Sequence, residues 1–147
     1  MPKKRKRDHQ AAFVLDCSVA LAWYFQDEAN AYARSVRQAL AKTTAVVPAL
    51  WPLEVANILV LGERRGRSTT ADAAKWLGYL QWLPIRVDEE TPARAWSDIL
   101  PLARTYELSS YDAAYLELAL RLGLPLASLD DPLKAAATSA GVPAFEP

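Results

Sequence analysis

The sequence predicts an α/β fold in which a parallel sheet is covered by helices on both faces. Short apolar runs of strand length recur at residues 12–15, 45–48, 84–87 and 124–129. Between them, apolar residues repeat at helical spacing. The connections are short, and strands that alternate with helices build parallel sheets. With 147 residues, 52% apolar and 23% charged, the chain suits one domain with a single core rather than a disordered or fibrous architecture.

Residues 1–10 read as a disordered basic leader, because Lys3, Lys4, Arg5, Lys6 and Arg7 repel one another and offer nothing to bury. The folded domain is expected over 11–147. Its first strand, 12–15, ends at Asp16, and Ser18 is placed to cap a helix running through Phe25. A second helix is expected over 27–41, with Ala31, Val36, Ala39 and Leu40 on its apolar face. After strand 45–48, Pro52 suits the first turn of a helix over 52–65 that turns basic at Arg64, Arg65 and Arg67. Ser68 or Thr69 then caps a helix over 70–82 carried by Ala73, Trp76, Leu77 and Leu80. Strand 84–87 precedes a helix over 92–107, whose stripe is Ala93, Trp96, Leu100 and Ala103. Ser109 caps the next helix, which shows Ala113, Leu116, Ala119 and Leu120 on one face until Gly123 stops it. Strand 124–129 ends at Asp130, Asp131 and Pro132 open a helix to about residue 140, and 141–145 offers a further strand.

Composition narrows the chemistry. The single cysteine, Cys17, excludes internal disulfides and a cysteine-based zinc site. The single histidine, His9, lies in the leader, so histidine-dependent triads and metal sites have almost nothing to work with. No run approaches the roughly 18 apolar residues of a membrane span, and Asp16 interrupts the first apolar stretch before a secretory segment forms. A cytoplasmic protein is therefore expected. The neutral net charge divides into a basic leader and a mildly acidic body, so any reaction must use carboxylates, hydroxyls, Lys or Arg.

Ligands of open α/β sheets gather at the carboxyl ends of the strands, where Asp16 and Asp130 are expected. Glu54 and Asp112 are placed in first helical turns. Each acid has an ordinary alternative: Asp112 stands three residues after Ser109, as in a capping box, Asp130 can cap the helix at Pro132, and Asp16 can serve a turn. Glu54 fits such a reading least, since Trp51, Pro52, Leu53, Val55 and Ala56 surround it and a carboxylate among apolar groups is costly unless something binds it. Two carboxylates about 4 Å apart repel by roughly 4 kcal/mol at an effective dielectric of about 20, so several around one pocket take up protons or demand a cation. Hard oxygen ligands without histidine or thiolate favour Mg²⁺ or Mn²⁺, ions that serve phosphoryl chemistry.

Four segments resemble the acidic motifs of PIN domains, most closely the VapC toxins of prokaryotic toxin–antitoxin modules. They are Phe13-Val14-Leu15-Asp16-Cys17-Ser18, Glu54-Val55-Ala56-Asn57-Ile58-Leu59, Ser109-Ser110-Tyr111-Asp112-Ala113-Ala114-Tyr115-Leu116 and Leu126-Ala127-Ser128-Leu129-Asp130. The resemblance runs in order through residues 12–145. It implies a three-layer α/β/α fold around a central, mostly parallel sheet of four to five strands. It also implies a Mg²⁺- or Mn²⁺-dependent endoribonuclease, usually dimeric and silenced by a VapB-like antitoxin. Carried onto matching positions, Asp16, Glu54, Asp112 and Asp130 become the metal-binding, catalytic carboxylates, with Ser18 and Ser128 in support. Asp131 directly follows Asp130, so either could reach the metal, the strand end favouring Asp130. The basic leader is longer than the family needs and looks like a nucleic-acid-binding or nuclear-localisation run, or a segment foreign to the native protein.

Three further readings follow. Arg64, Arg65 and Arg67 are either a solvated helix end or an RNA contact. Trp23, Tyr24, Trp76, Trp82 and Trp96 lie at helical spacings and read mostly as core or interface, and Trp23, Tyr24, Tyr32 and Trp76 could anchor an antitoxin that places a cation near Asp16 and Asp112. A catalytically inactive PIN-like module that binds RNA or protein is the alternative; a phospho-acceptor receiver domain is disfavoured because no middle-strand acceptor Asp pairs with a Lys after the last strand.

Overall fold

The computed structural model describes residues 11–25 and 30–147. The leader expected over 1–10 and the first turn of the helix expected from residue 27 lie outside the described residues. Four strands form the sheet: β1 (Phe13–Leu15), β2 (Ala45–Pro48), β3 (Ile85–Asp88) and β4 (Leu126–Ala127). All pair in parallel, in the order β3-β2-β1-β4, with Phe13 beside Ala45, Val14 beside Leu126 and Ala45 beside Ile85. Every residue of β1 and β2 is buried, as in central strands covered on both faces, while edge strand β3 exposes Arg86 and Val87. The chain steps from β1 outward to β3 and later sets β4 on the other side of β1. Strand order therefore reverses between β1 and β4, and the crevice at such a reversal is where these sheets bind ligands. The expected strand over 141–145 reduces to one bridge between Leu126 and Ala144, because Pro143 has no amide hydrogen for a ladder.

The helices are α1 (Cys17–Tyr24), α2 (Ala31–Ala39), α3 (Trp51–Arg64), α4 (Thr70–Leu80), α5 (Thr91–Arg94), α6 (Leu100–Tyr106), α7 (Ser110–Leu122) and α8 (Asp131–Ser139). Asn30, rather than an earlier residue, caps α2 by accepting the Ala33 N–H. Thr69 caps α4 through a full box with Asp72, and Gly123 ends α7 in the left-handed conformation at φ 64°. At Gly62 the absent side chain matters, since a Cβ there would stand 3.0 Å from the Phe25 ring.

The helix expected over 92–107 is broken by a π turn, Ala95–Ile99, in which the Leu100 N–H reaches the Ala95 carbonyl five residues back. Pro101 explains it: a proline ring collides with the carbonyl four residues earlier, and widening the turn relieves the clash. The extra residue rotates the apolar stripe. Ile99 and Ala103 are buried, whereas Trp96 is 88% and Leu100 36% exposed. Trp82, beyond the end of α4, is 86% exposed, so neither tryptophan is core. Trp23 instead staples α1 to α2 by donating to the Ala33 carbonyl, and Tyr24 packs against Trp76 with centroids 4.9 Å apart.

Helix α7 packs on β1, β2 and β4 with α6 and α8 beside it. Residues 113–119 are all buried, although Leu120, expected on the same face, is exposed. Burying Glu117 requires a partner. Arg121 donates to Glu117 Oε1 at 2.8 Å, to Asp88 Oδ2 at 2.7 Å and to Glu90 Oε2 at 2.6 Å, and Arg94 donates to Asp98 at 3.0 Å. The network ties α7 to the end of β3 and the start of α5. Among the described residues, no helix is long and apolar enough to cross a membrane.

Candidate active site

Asp16 leaves β1 at its carboxyl end, and its N–H bonds the Ala127 carbonyl of β4 at 2.9 Å. It occupies the N-cap position of α1 without capping it. Its side chain turns to two hydroxyls: Oδ2 accepts from Ser18 Oγ at 2.6 Å and Ser128 Oγ at 2.8 Å. Those hydroxyls in turn accept the Leu129 and Asp130 N–H groups at 2.9 and 3.0 Å. Ser18 thus does not cap α1, as the sequence suggested; it joins the ends of β1 and β4 through Asp16. Only 4% of Asp16 is exposed. Burial raises its carboxyl pKa, the Ser18 and Ser128 hydroxyls oppose that, and Asp130 adds to it by repulsion.

Glu54 enters in the first turn of α3, where the helix dipole favours an anion. Its Oε1 accepts the Tyr115 hydroxyl of α7 at 2.6 Å. Burial again raises the pKa, with Asp16 and Asp112 contributing repulsion. Asp112 stands in the first turn of α7, where Ser109 caps the helix by accepting its N–H at 3.1 Å. Its pKa is raised by burial, then by Asp130 and Asp16. Asp130 caps α8 by accepting the Leu133 N–H at 3.0 Å, so its helix-start role and its place among the acids coexist. Asp131 differs: its side chain is 95% exposed and lies 3.9 Å from Lys134.

Four acids therefore lie within electrostatic reach of one another. Among the described residues none of them is in an ion pair, and no three His, Cys, Asp or Glu side chains stand close enough to hold a metal ion as they are. The donor set is chemically suited to a hard divalent cation, being all carboxylate oxygen, and burial first, then the acids' repulsion of one another, raises the pKa of Asp16, Glu54 and Asp112. Cys17, 9% exposed between Asp16 and Glu54, has its thiol pKa pushed well up by burial and by those acids.

The other expected contacts lie elsewhere. Arg64 and Arg65 are exposed at the end of α3, and the Arg67 guanidinium sits 4.0 Å from the centroid of Phe25. Arg67 also borders a cavity of about 710 Å³ with Tyr24, Ser68, Lys75, Trp76 and Tyr79; none of the four acids lines it. The Tyr24 hydroxyl, Ser68 Oγ and Trp76 Nε1 are buried without hydrogen-bond partners. Sequence reading left Tyr115 without a role beyond its place in a motif. The signal was its spacing, since a residue three beyond Asp112 on a helix faces the same side.

A search of curated proteins finds no match. Among solved structures, the crystal structure of PAE2754 from Pyrobaculum aerophilum resembles this chain with a TM-score of 0.64 at 22% identity, covering 86% of this chain and 84% of that one. That likeness is one of fold. The sequence profile of the PIN domain matches residues 13–138, from β1 into α8 and across all four acids. PIN domains are generally metal-dependent nucleases, and this chain belongs to the PIN domain family.

Proposed function

We propose that the chain is a Mg²⁺- or Mn²⁺-dependent endoribonuclease that acts as the toxin of a toxin–antitoxin pair, cutting RNA phosphodiester bonds until a VapB-like antitoxin neutralises it. The observation that carries the reading is Asp16: a carboxylate 4% exposed at the reversal point of the sheet, held by neutral hydroxyls and within electrostatic reach of three other acids, with no cation paired to them among the described residues. A divalent ion, when bound, would lower the pKa of a water and offset charge on the scissile phosphate. Asp16, Glu54, Asp112 and Asp130 would hold it. Ser18 and Ser128 keep Asp16 oriented between β1 and β4, and Ser109 keeps the first turn of α7 in place. The acids themselves repel RNA phosphate, so substrate approaches productively only when their charge is offset.

The antitoxin would occupy the cavity bordered by Tyr24, Trp76 and Tyr79, where unpartnered polar atoms await acceptors and donors, and deliver an Arg or Lys to the acids. A homodimer and RNA contacts from Arg64, Arg65 and Arg67 belong to the same proposal. The alternative, a PIN module that binds RNA or protein without cutting, draws on the acids as they stand, since among the described residues no three such side chains are close enough to hold a metal ion.

RNA cleavage with Mg²⁺, with Mn²⁺ and with EDTA decides between them. The nuclease reading expects metal-dependent cleavage that Asp112→Asn reduces by at least about a thousandfold, the ion being worth several kcal/mol to the transition state. Parental cleavage by Asp112→Asn would overturn it.

A further inference from the structure

We propose that Tyr115 is a positioning residue for Glu54, its hydroxyl fixing that carboxylate at the sheet edge so that the acids can share one divalent cation. The inference rests on the nuclease reading above and adds a residue to it. Tyr115 is 0% exposed in the middle of α7, on the helix that packs against β1 and β2. Its ring is therefore held in one place by the core. A phenylalanine would fill that space without introducing a polar atom, and a buried phenol must find a partner. The partner is a carboxylate 61 residues away in sequence, at 2.6 Å, a length typical of a hydrogen bond to an ionised oxygen.

Glu54 needs such an anchor. Its side chain has three rotatable bonds and projects from the start of a helix, and fixing so flexible a chain in one rotamer carries an entropic cost. The Tyr115 hydroxyl supplies that restriction from α7. Asp16 is treated alike, through Ser18 and Ser128. All three donors are neutral. A neutral donor orients a carboxylate and leaves its charge to a cation, whereas Lys or Arg would compete with that cation. Partners that orient metal ligands are worth about 10- to 100-fold in affinity or activity.

The test is Mn²⁺ binding to metal-free protein, by calorimetry or electron paramagnetic resonance, for the parent, Tyr115→Phe, Glu54→Gln and the double variant. Tyr115→Phe is expected to weaken Mn²⁺ binding by about 10- to 100-fold while its melting temperature in EDTA stays near the parent's. The double variant is expected to bind no more weakly than Glu54→Gln alone, because Tyr115 acts through Glu54. In cleavage assays Tyr115→Phe should raise the Mn²⁺ needed for half-activation and leave the KM for RNA at saturating Mn²⁺ unchanged. A purely structural Tyr115 would lower the melting temperature and not move the Mn²⁺ affinity. If Tyr115→Phe does not fold, Tyr115→Met repeats the measurement with similar volume and no hydroxyl. Parental affinity in either variant, or additive losses in the double variant, would overturn the positioning role alone, provided the parent binds Mn²⁺ and Glu54→Gln weakens it. A parent that binds no Mn²⁺ would overturn the nuclease reading and this proposal together.

Discussion

Helix α7 borders two gatherings of acids that the protein treats in opposite ways. Around Arg121, the carboxylates of Asp88, Glu90 and Glu117 each meet a guanidinium N–H at 2.6–2.8 Å. Around Asp16, the acids meet hydroxyls and backbone amides, and among the described residues no cation pairs with them. Burial is comparable, with Glu117 5% and Asp16 4% exposed. The number of acids therefore does not mark a reactive site; the kind of donor beside them does. A guanidinium cancels charge and locks helix to strand, whereas a hydroxyl only aims it.

The comparison can be broken most forcefully at Arg121. Arg121→Met leaves buried Glu117 with only Arg94, 3.7 Å away, and takes the guanidinium from Asp88, which should cost about 2 kcal/mol in urea denaturation while leaving Mn²⁺ affinity at the parental value. Loss of metal binding with no loss of stability would invert the roles assigned to the two groups.

Asp16→Asn sharpens the other side. Burial raises the folded carboxyl above its ordinary value, so the native state binds this proton more tightly than the unfolded chain does. The stability so contributed is complete below the unfolded pKa and is lost as pH rises through the folded one. Metal-free Asp16→Asn, which carries no charge at any pH, should therefore be the more stable protein at about pH 8, by about 1 kcal/mol, with the gap closing as pH falls below the carboxylate range. Melting curves across pH check this. The smallest effect is expected at the rim of the Arg121 group: Glu90 is 59% exposed, so Glu90→Gln should change stability by less than about 1 kcal/mol, which urea denaturation would resolve from the effect of Arg121→Met.

What the sequence made legible was local. The apolar run before Asp16, the Thr69 box, the Ser109 cap and the left-handed Gly123 each act within a few residues, and their elements stand within a few residues of where they were expected. The features that escaped depend on distance or on a shift of phase. Arg121 finds Asp88 and Glu90 more than 30 residues away, and Tyr115 finds Glu54 across 61; no periodicity encodes either. A stripe over 92–107 holds only for a constant 3.6-residue period, and the π turn before Pro101 adds a residue that turns Trp96 and Leu100 outward. Serine near a helix start usually caps it, yet at Ser18 a stronger acceptor two residues away claims the hydroxyl.

Cys17 adds a chemical clock to this arrangement. It is the chain's one cysteine, it is buried beside Asp16 and Glu54, and its thiol is held protonated by its surroundings. Alkylating reagents attack the thiolate, so in the native state this sulfur is silent. Any labelling must pass through an opening that lets water in between α1 and the acids, and labelling velocity then counts those openings. A cation shared by the acids would slow the clock, and so would a partner seated over them, which makes one sulfur atom a gauge of how long the sheet edge stays shut.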